Sequence, residues 1–221
     1  MKRRRFLAAF GGVAAAPWLI AARSRDHYLF RRARFFDHGG YVSMSMGFPE
    51  LLRASDRDAM AWVDSGFETV LRYRIIVVDR KARREVEQRV HLVTLRFDFL
   101  QGDRYEVKAR QGGRTLFRRY YDERRAAVDA ATHLARVPIA DTSRLVRGGP
   151  GGPSYSVAVV AQRNPLGPDE QGPGADPAVA RAQDRDVQWF GRLVGFLVGE
   201  VPEAEVTVRL RTQPFYLEAR R

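Results

Sequence analysis

The chain has no cysteine. Disulfide frameworks, thiolate metal sites, a cysteine nucleophile and a lipidated cysteine anchor are thereby excluded. An oxidising compartment is not, because a domain drawn from 221 residues can build enough core to stand without covalent staples. Lysine is nearly missing as well. Lys2, Lys81 and Lys108 are its only occurrences, so the excess of 38 Lys+Arg over 26 Asp+Glu is carried by arginine. The net charge of +12 and a pI near 10.7 favour solubility and a loose attraction to anionic surfaces. Aromatic residues are sparse among the basic strand positions, which argues against nucleic acid as a partner.

Catalytic signatures are also lacking. There is no Gly-x-Ser-x-Gly, no Walker loop, no His-Glu-x-x-His and no dinucleotide fingerprint. The histidines His27, His38, His91 and His133 show no metal-ligand spacing. Residues 148–152 are rich in glycine, but no helix start follows to turn them into an anion cradle. Asp98 and Asp103 flank a strand end, and surface carboxylates in a basic protein need no special role. These absences point away from an enzyme and lead to the expectation of no cofactor and no metal.

What is present is a run of strand-like segments over residues 66–121. In 67–79, Leu71, Tyr73, Ile75 and Val77 share one face; in 85–100, Val93, Leu95, Phe97 and Phe99 do the same. Period two with β-branched and aromatic residues marks half-buried strands. A hairpin across residues 80–84 that keeps the apolar faces together also aligns the opposite faces. There Ile76, Val78, Val90 and Leu92 are apolar while Arg72, Arg74, Thr94, Arg96 and Asp98 are polar, so one end should be covered on both sides and the other should meet water. Further strands are expected at Val42, Met44 and Met46, at Tyr105, Val107 and Ala109, at 115–121, at Tyr155, Val157 and Val159, and at Val206, Val208 and Leu210. Gln111-Gly112-Gly113 reads as a tight hairpin turn.

Two helices are expected between strands. One covers 51–65 with the stripe Leu52, Ser55, Ala59 and Trp62, closed by Gly66; the other runs from Asp122 to about Arg136 with the stripe Ala127, Ala130, Ala131 and Leu134, limited by Pro138. A third lies in 186–201, where Gly191, Gly195 and Gly199 recur every four residues beside Trp189. Small residues at that spacing allow close helix approach, so this helix either lies buried on the sheet or is a membrane-embedded or partner-docking helix. The apolar run is short for a bilayer, and Arg192 interrupts it.

The two ends of the chain differ in character from its middle. Residues 1–23 carry a basic start and an uncharged run from Phe6 to Ala22, the composition of an export signal or an N-terminal anchor. Within it Arg3-Arg4-Arg5-Phe6-Leu7 is similar to the twin-arginine export motif, with Arg3, Arg4, Phe6 and Leu7 as its key positions. Residues 24–38 read as a basic and aromatic linker. One domain then occupies 39–218, interrupted by a flexible Pro/Gly insert at about 164–177.

Taken in order, Gly40-Tyr41-Val42-Ser43, Val63-Asp64-Ser65-Gly66-Phe67, the strand 70–77, Leu95-Arg96-Phe97-Asp98-Phe99, Asp103-Arg104-Tyr105-Glu106-Val107, Val137-Pro138-Ile139-Ala140-Asp141 and Arg211-Thr212-Gln213-Pro214-Phe215-Tyr216 form a consistent set. Their order and spacing, over most of 39–217, resemble the bacterial domain-of-unknown-function family DUF4390. That resemblance implies an exported or membrane-anchored, sandwich-like β domain with no known activity and no catalytic residue. It also implies a membrane sensor kinase as a conceivable neighbour and partner.

The sequence reading is therefore a mainly β chain, an antiparallel β-sandwich (immunoglobulin-like or similar) with two or three appended helices, facing the periplasm or the inner membrane. Its expected work is non-catalytic docking of a membrane or envelope partner. The alternative is an anionic-ligand or membrane-surface module built on Arg72, Arg74, Arg96, Lys108 and Arg110, which lie on the polar sides of strands that could be neighbours.

Overall fold

The computed structural model describes residues 28–165 and 203–218. The first strands are β1 (Leu29–Phe30), β2 (Arg34–Asp37) and β3 (Tyr41–Gly47), followed by helix α1 (Arg57–Asp64). Next come the long strands β4 (Thr69–Asp79) and β5 (Arg84–Asp98), then β6 (Arg104–Gln111) and β7 (Arg114–Tyr121). Helix α2 (Arg124–Thr132), β8 (His133–Asp141), β9 (Tyr155–Pro165) and β10 (Ala204–Arg211) complete the described elements.

Period-two burial drives the central hairpin. In β4 and β5, Leu71 pairs with Val93 and Tyr73 with His91, so the two apolar faces coincide. The turn is closed by Asp79, whose Oδ1 accepts from the backbone N–H of Lys81 at 2.8 Å and of Ala82 at 2.9 Å. The next hairpin turns on Gly112 and Gly113, at φ +55° and +79°, the left-handed pair that a tight two-residue turn requires.

Seven strands build one sheet in the order β1-β10-β9-β4-β5-β6-β7, and three build a second in the order β2-β3-β8. All pairings are antiparallel except that of β1 with β10. The small sheet and both helices lie on one face of the large sheet, here called the inner face. Leu71, Tyr73, Ile75, Val107, Val157 and Val159 from the large sheet share one core with Met44, Ile139, Met60 and Ala131 from the covering layer. The described residues form a mainly β sandwich with two helices.

Several local expectations are corrected. Residues 29–37 of the stretch read as a linker form β1 and β2, and Phe35 stacks on Phe215 with ring centroids 4.3 Å apart. α1 begins later than expected because Asp56 caps it, accepting the Ala59 N–H at 3.3 Å. Its buried stripe is therefore Met60 and Val63, whereas Trp62 is exposed. α2 stops at Thr132, and Leu134 belongs to β8, opposite Met46 of β3. Pro138, read as a helix limit, sits within β8, which is an edge strand where a missing N–H is tolerated. Phe99 leaves the face shared by Val93 and Leu95, since β5 ends at Asp98 and a 3-10 turn at Phe99–Gln101 follows. Of the Pro/Gly insert, Asn164 and Pro165 end β9; the rest of it, the 186–201 helix with Trp189, Gly191, Gly195 and Gly199, and the export motif Arg3, Arg4, Phe6 and Leu7 lie outside the described residues.

Candidate functional site

The alternation of side chains sends Arg72 and Arg74 of β4 to the outer face of the large sheet, away from the core. Pairing extends that face: Arg72 stands opposite Leu92, Leu92 opposite Arg110, and Thr94 opposite Lys108. All five basic residues singled out in the sequence therefore share one face, spread over β4, β5 and β6.

Their environments differ. Arg72 is 3% exposed, and its Nε and Nη2 donate to Gln162 Oε1 at 3.2 and 2.9 Å. Arg74 is half-buried. Arg96 donates from Nε and Nη2 to Glu106 Oε2 at 3.0 and 2.7 Å, and its Nη2 also lies 3.4 Å from Asp98 Oδ2. Arg118 of β7 forms a second ion pair with Glu106. Lys108 and Arg110 make no hydrogen bond or ion pair with a described residue. Toward the other end of this face Ile76, Val78, Ala158 and Val160 are buried, so the hairpin is covered on both sides there.

Glu106 is the residue the sequence did not mark. Its side chain is 4% exposed between the two guanidinium groups. Burial pushes its pKa up, but the hydrogen bonds from Arg118 and Arg96 outweigh that and hold the carboxyl below its usual range. The basic face is thus compensated at one end by its own carboxylate. No spacing in the sequence announces this, because the three partners come from β5, β6 and β7 and meet only through strand register.

A second surface is apolar. At the end of the sandwich where β4 begins and β5 finishes, Trp62, Phe67, Phe99 and Leu100 are 50%, 53%, 58% and 93% exposed. Trp62 and Phe67 stack with centroids 4.2 Å apart and planes 20° from parallel. Phe99 stands edge-on to Phe97 at 5.0 Å and lies against Gly66. The loop between α1 and β4 and the turn between β5 and β6 thereby make one apolar tip. Other large exposed side chains belong elsewhere: Leu29 and Phe30 to the edge strand β1, Leu116 to the edge strand β7.

Polar contacts underneath fix the tip. Tyr105 Oη donates to Asp64 Oδ1 at 2.8 Å, and Arg124 of α2 pairs with the same carboxylate. At the start of α1, Arg163 Nη1 donates to Asp56 Oδ2 at 3.1 Å and to the Leu51 carbonyl at 3.2 Å. The Ala59 N–H and the Arg163 guanidinium hold the Asp56 carboxyl below its usual range. Both ends of α1 are thus tied to the sheet, and its exposed last turn carries Trp62.

Among the described residues no three His, Asp or Glu side chains gather as a metal site, and no helix is long and apolar enough to cross a membrane. His91 is buried on the inner face with its Nδ1 unbonded, and burial lowers its pKa to about 4. It faces Tyr73 at 6.2 Å, and among the described residues burial alone, with no charged neighbour, accounts for the lowered pKa. No protein-family model, no curated protein and no solved structure matches the chain.

Proposed function

We propose that this chain is a non-catalytic interaction domain of the bacterial envelope, exported or tethered through residues 1–23, that docks a membrane or envelope partner. The apolar tip carries this reading. Scattered surface hydrophobics are ordinary, but four large ones gathered from the end of α1 and the two neighbouring loops and braced from below form a contact surface. The outer face supports it, since Arg96 and Arg118 are satisfied by Glu106 in the manner of a scaffold. Membership of DUF4390, and a membrane sensor kinase as partner, belong to the same proposal and rest on the order and spacing of the motifs quoted above.

The test is a photo-crosslinking amino acid placed at Phe67 of the full chain in the native cells, with Arg114 on the β6–β7 hairpin as control. The expected result is adducts in the envelope fraction from position 67 alone. Recovery of the protein in the cytosol, with equal or no adducts at both positions, overturns it. N-terminal sequencing of the recovered chain then separates a cleaved from a retained leader.

A second reading has its own observation. Lys108 and Arg110 follow Glu106 along the outer face of β6 and form no ion pair with a described residue, which suits an anionic ligand or headgroup. Binding to anionic vesicles that falls with salt, and falls again in Lys108→Gln with Arg110→Gln, supports it; salt-insensitive behaviour removes it.

A further inference from the structure

We propose that the tip formed by Trp62, Phe67, Phe99 and Leu100 takes a basic amphipathic helix of a partner protein. The apolar stripe of that helix covers the four side chains, and its Lys or Arg residues meet Asp58, Glu68 and Asp103. The inference rests on the docking reading above and names the chemistry of the partner. Charge carries it.

The segments that build the tip invert the charge balance of the chain. Over the whole sequence Lys and Arg outnumber Asp and Glu by 38 to 26. Residues 58–68 and 98–103 contain Asp58, Asp64, Glu68, Asp98 and Asp103, and neither Lys nor Arg. Two of these carboxylates are engaged from outside the tip. Asp64 pairs with Arg124 and accepts from Tyr105. Asp98 lies 3.4 Å from Arg96 and accepts the Leu100 N–H at 3.0 Å.

The other three are exposed and form no ion pair with a described residue. Each sits beside an apolar member of the tip. Asp58 precedes Trp62 by one turn of α1, so the two share a helix face. Glu68 follows Phe67, and Asp103 follows the turn Phe99–Gln101 and its Gly102 cap. Glu68 adds to the field on Arg96, but that guanidinium is already engaged by Glu106 and Asp98.

An apolar surface rimmed by unpaired carboxylates discriminates between occupants. Anionic headgroups are repelled by the rim, so a bilayer gains apolar contact only against an opposing charge. A basic segment gains from both. Strand addition does not apply, because the tip is built from the end of α1 and the two neighbouring loops rather than from a strand edge. An amphipathic helix supplies the required pattern, with apolar residues at i, i+3, i+4 and i+7 and cations flanking them. Lys108 and Arg110 on the outer face repel such a partner, which turns its approach toward the tip.

The absence of cysteine makes the test direct, because a single introduced thiol is unique in the full chain. Leu100→Cys and, as control, Arg114→Cys carry an environment-sensitive fluorophore. The probe is a helical peptide with a leucine stripe flanked by lysine, compared with its counterpart carrying glutamate at every lysine position. The expected result is a saturable emission change at position 100 with the lysine peptide, and none at position 114. The glutamate peptide should bind the tip at least about tenfold more weakly at low salt. Asp58→Asn, Glu68→Gln and Asp103→Asn together should weaken the lysine peptide about tenfold at low salt and change little in about 0.5 M salt. Trp62→Ser, also at an exposed position, should weaken it at both salt concentrations.

Equal binding of the two peptides overturns the basic partner and leaves an apolar docking tip. An emission change produced instead by vesicles of phosphatidylcholine and phosphatidylglycerol overturns it in favour of lipid. A label shielded before any addition, and unmoved by the lysine peptide, overturns it by showing the tip covered within the chain. Crosslinks at Phe67 in cells separate this inference from the reading beneath it. If they persist while the lysine peptide fails, the docking reading stands without this partner; if they are lost as well, both fall.

Discussion

Phe99 lies against Gly66 so closely that a β-carbon at position 66 would stand 2.9 Å from its Cε2 atom. Gly66 is also at φ +82°, where a side chain is disfavoured on its own account. One residue therefore both ends α1 and leaves room for the ring that joins the two loops of the tip. The close approach places Phe99 beside the helix that carries Trp62, rather than leaving each aromatic on a separate loop.

Gly66→Ala should destabilise the domain by about 1–2 kcal/mol from the left-handed backbone alone, measured as a shift of the urea midpoint at constant slope. Part of any further loss comes from the displaced ring. Phe99→Ala in the same background should recover that part and leave the backbone part. Full recovery in the double variant would show that the glycine serves packing only.

Tyr73 joins the sheet to the covering layer through one bond: its buried Oη donates to the Ala131 carbonyl at 2.9 Å. That carbonyl belongs to the last turn of α2, whose C=O groups have no helical partner. Tyr73→Phe keeps the ring and orphans the carbonyl, so a loss of about 1–2 kcal/mol is expected. Faster amide exchange should appear at the C-terminal turn of α2 before the rest of the domain. An unchanged exchange pattern would count against this coupling.

The central hairpin was legible because Leu71, Tyr73, Ile75 and Val77 can face one core only in one parity, and the same holds for Val93 and Leu95. Parity also placed the five basic residues on one face. It could not show Glu106 between Arg96 and Arg118, since register between three strands is set by turns and bulges that leave no spacing signal. Trp62 was misread for a local reason. A start at residue 51 puts it on the buried stripe, whereas the Asp56 cap starts the helix at Arg57 and turns Met60 and Val63 inward. Leu134 fitted a helical stripe by spacing, but pairing opposite Met46 in β8 prevailed over it. The tip escaped notice because its members look like ordinary core residues until both loops are placed.

Glu106→Gln removes the charge that neutralises Arg96 and Arg118 while keeping the size of the side chain. The outer face then gains one net positive charge. Binding to anionic vesicles at low salt should tighten about fivefold, an effect that salt erases. Tightening that survives high salt would mean that the substitution had exposed apolar surface instead.

His91 makes acid the condition under which this sandwich weakens. The ring is buried beside Tyr73, its Nδ1 has no partner, and desolvation lowers its pKa from 6.5 to about 4. The unfolded chain therefore takes up a proton at higher pH than the folded one. Stability from this group is fully present above about pH 6.5, falls as pH drops, and is lost once pH passes through about 4. The total is of order 3 kcal/mol, a large share of what a single domain has. His91→Leu should be close to neutral at pH 7, since an unbonded polar atom is replaced by an apolar one. Urea midpoints from pH 7 to pH 4 should then fall clearly less steeply in the variant than in the parent chain. Parallel slopes would show that the acid sensitivity lies in the carboxylate pairs, with Glu106 as the first to examine.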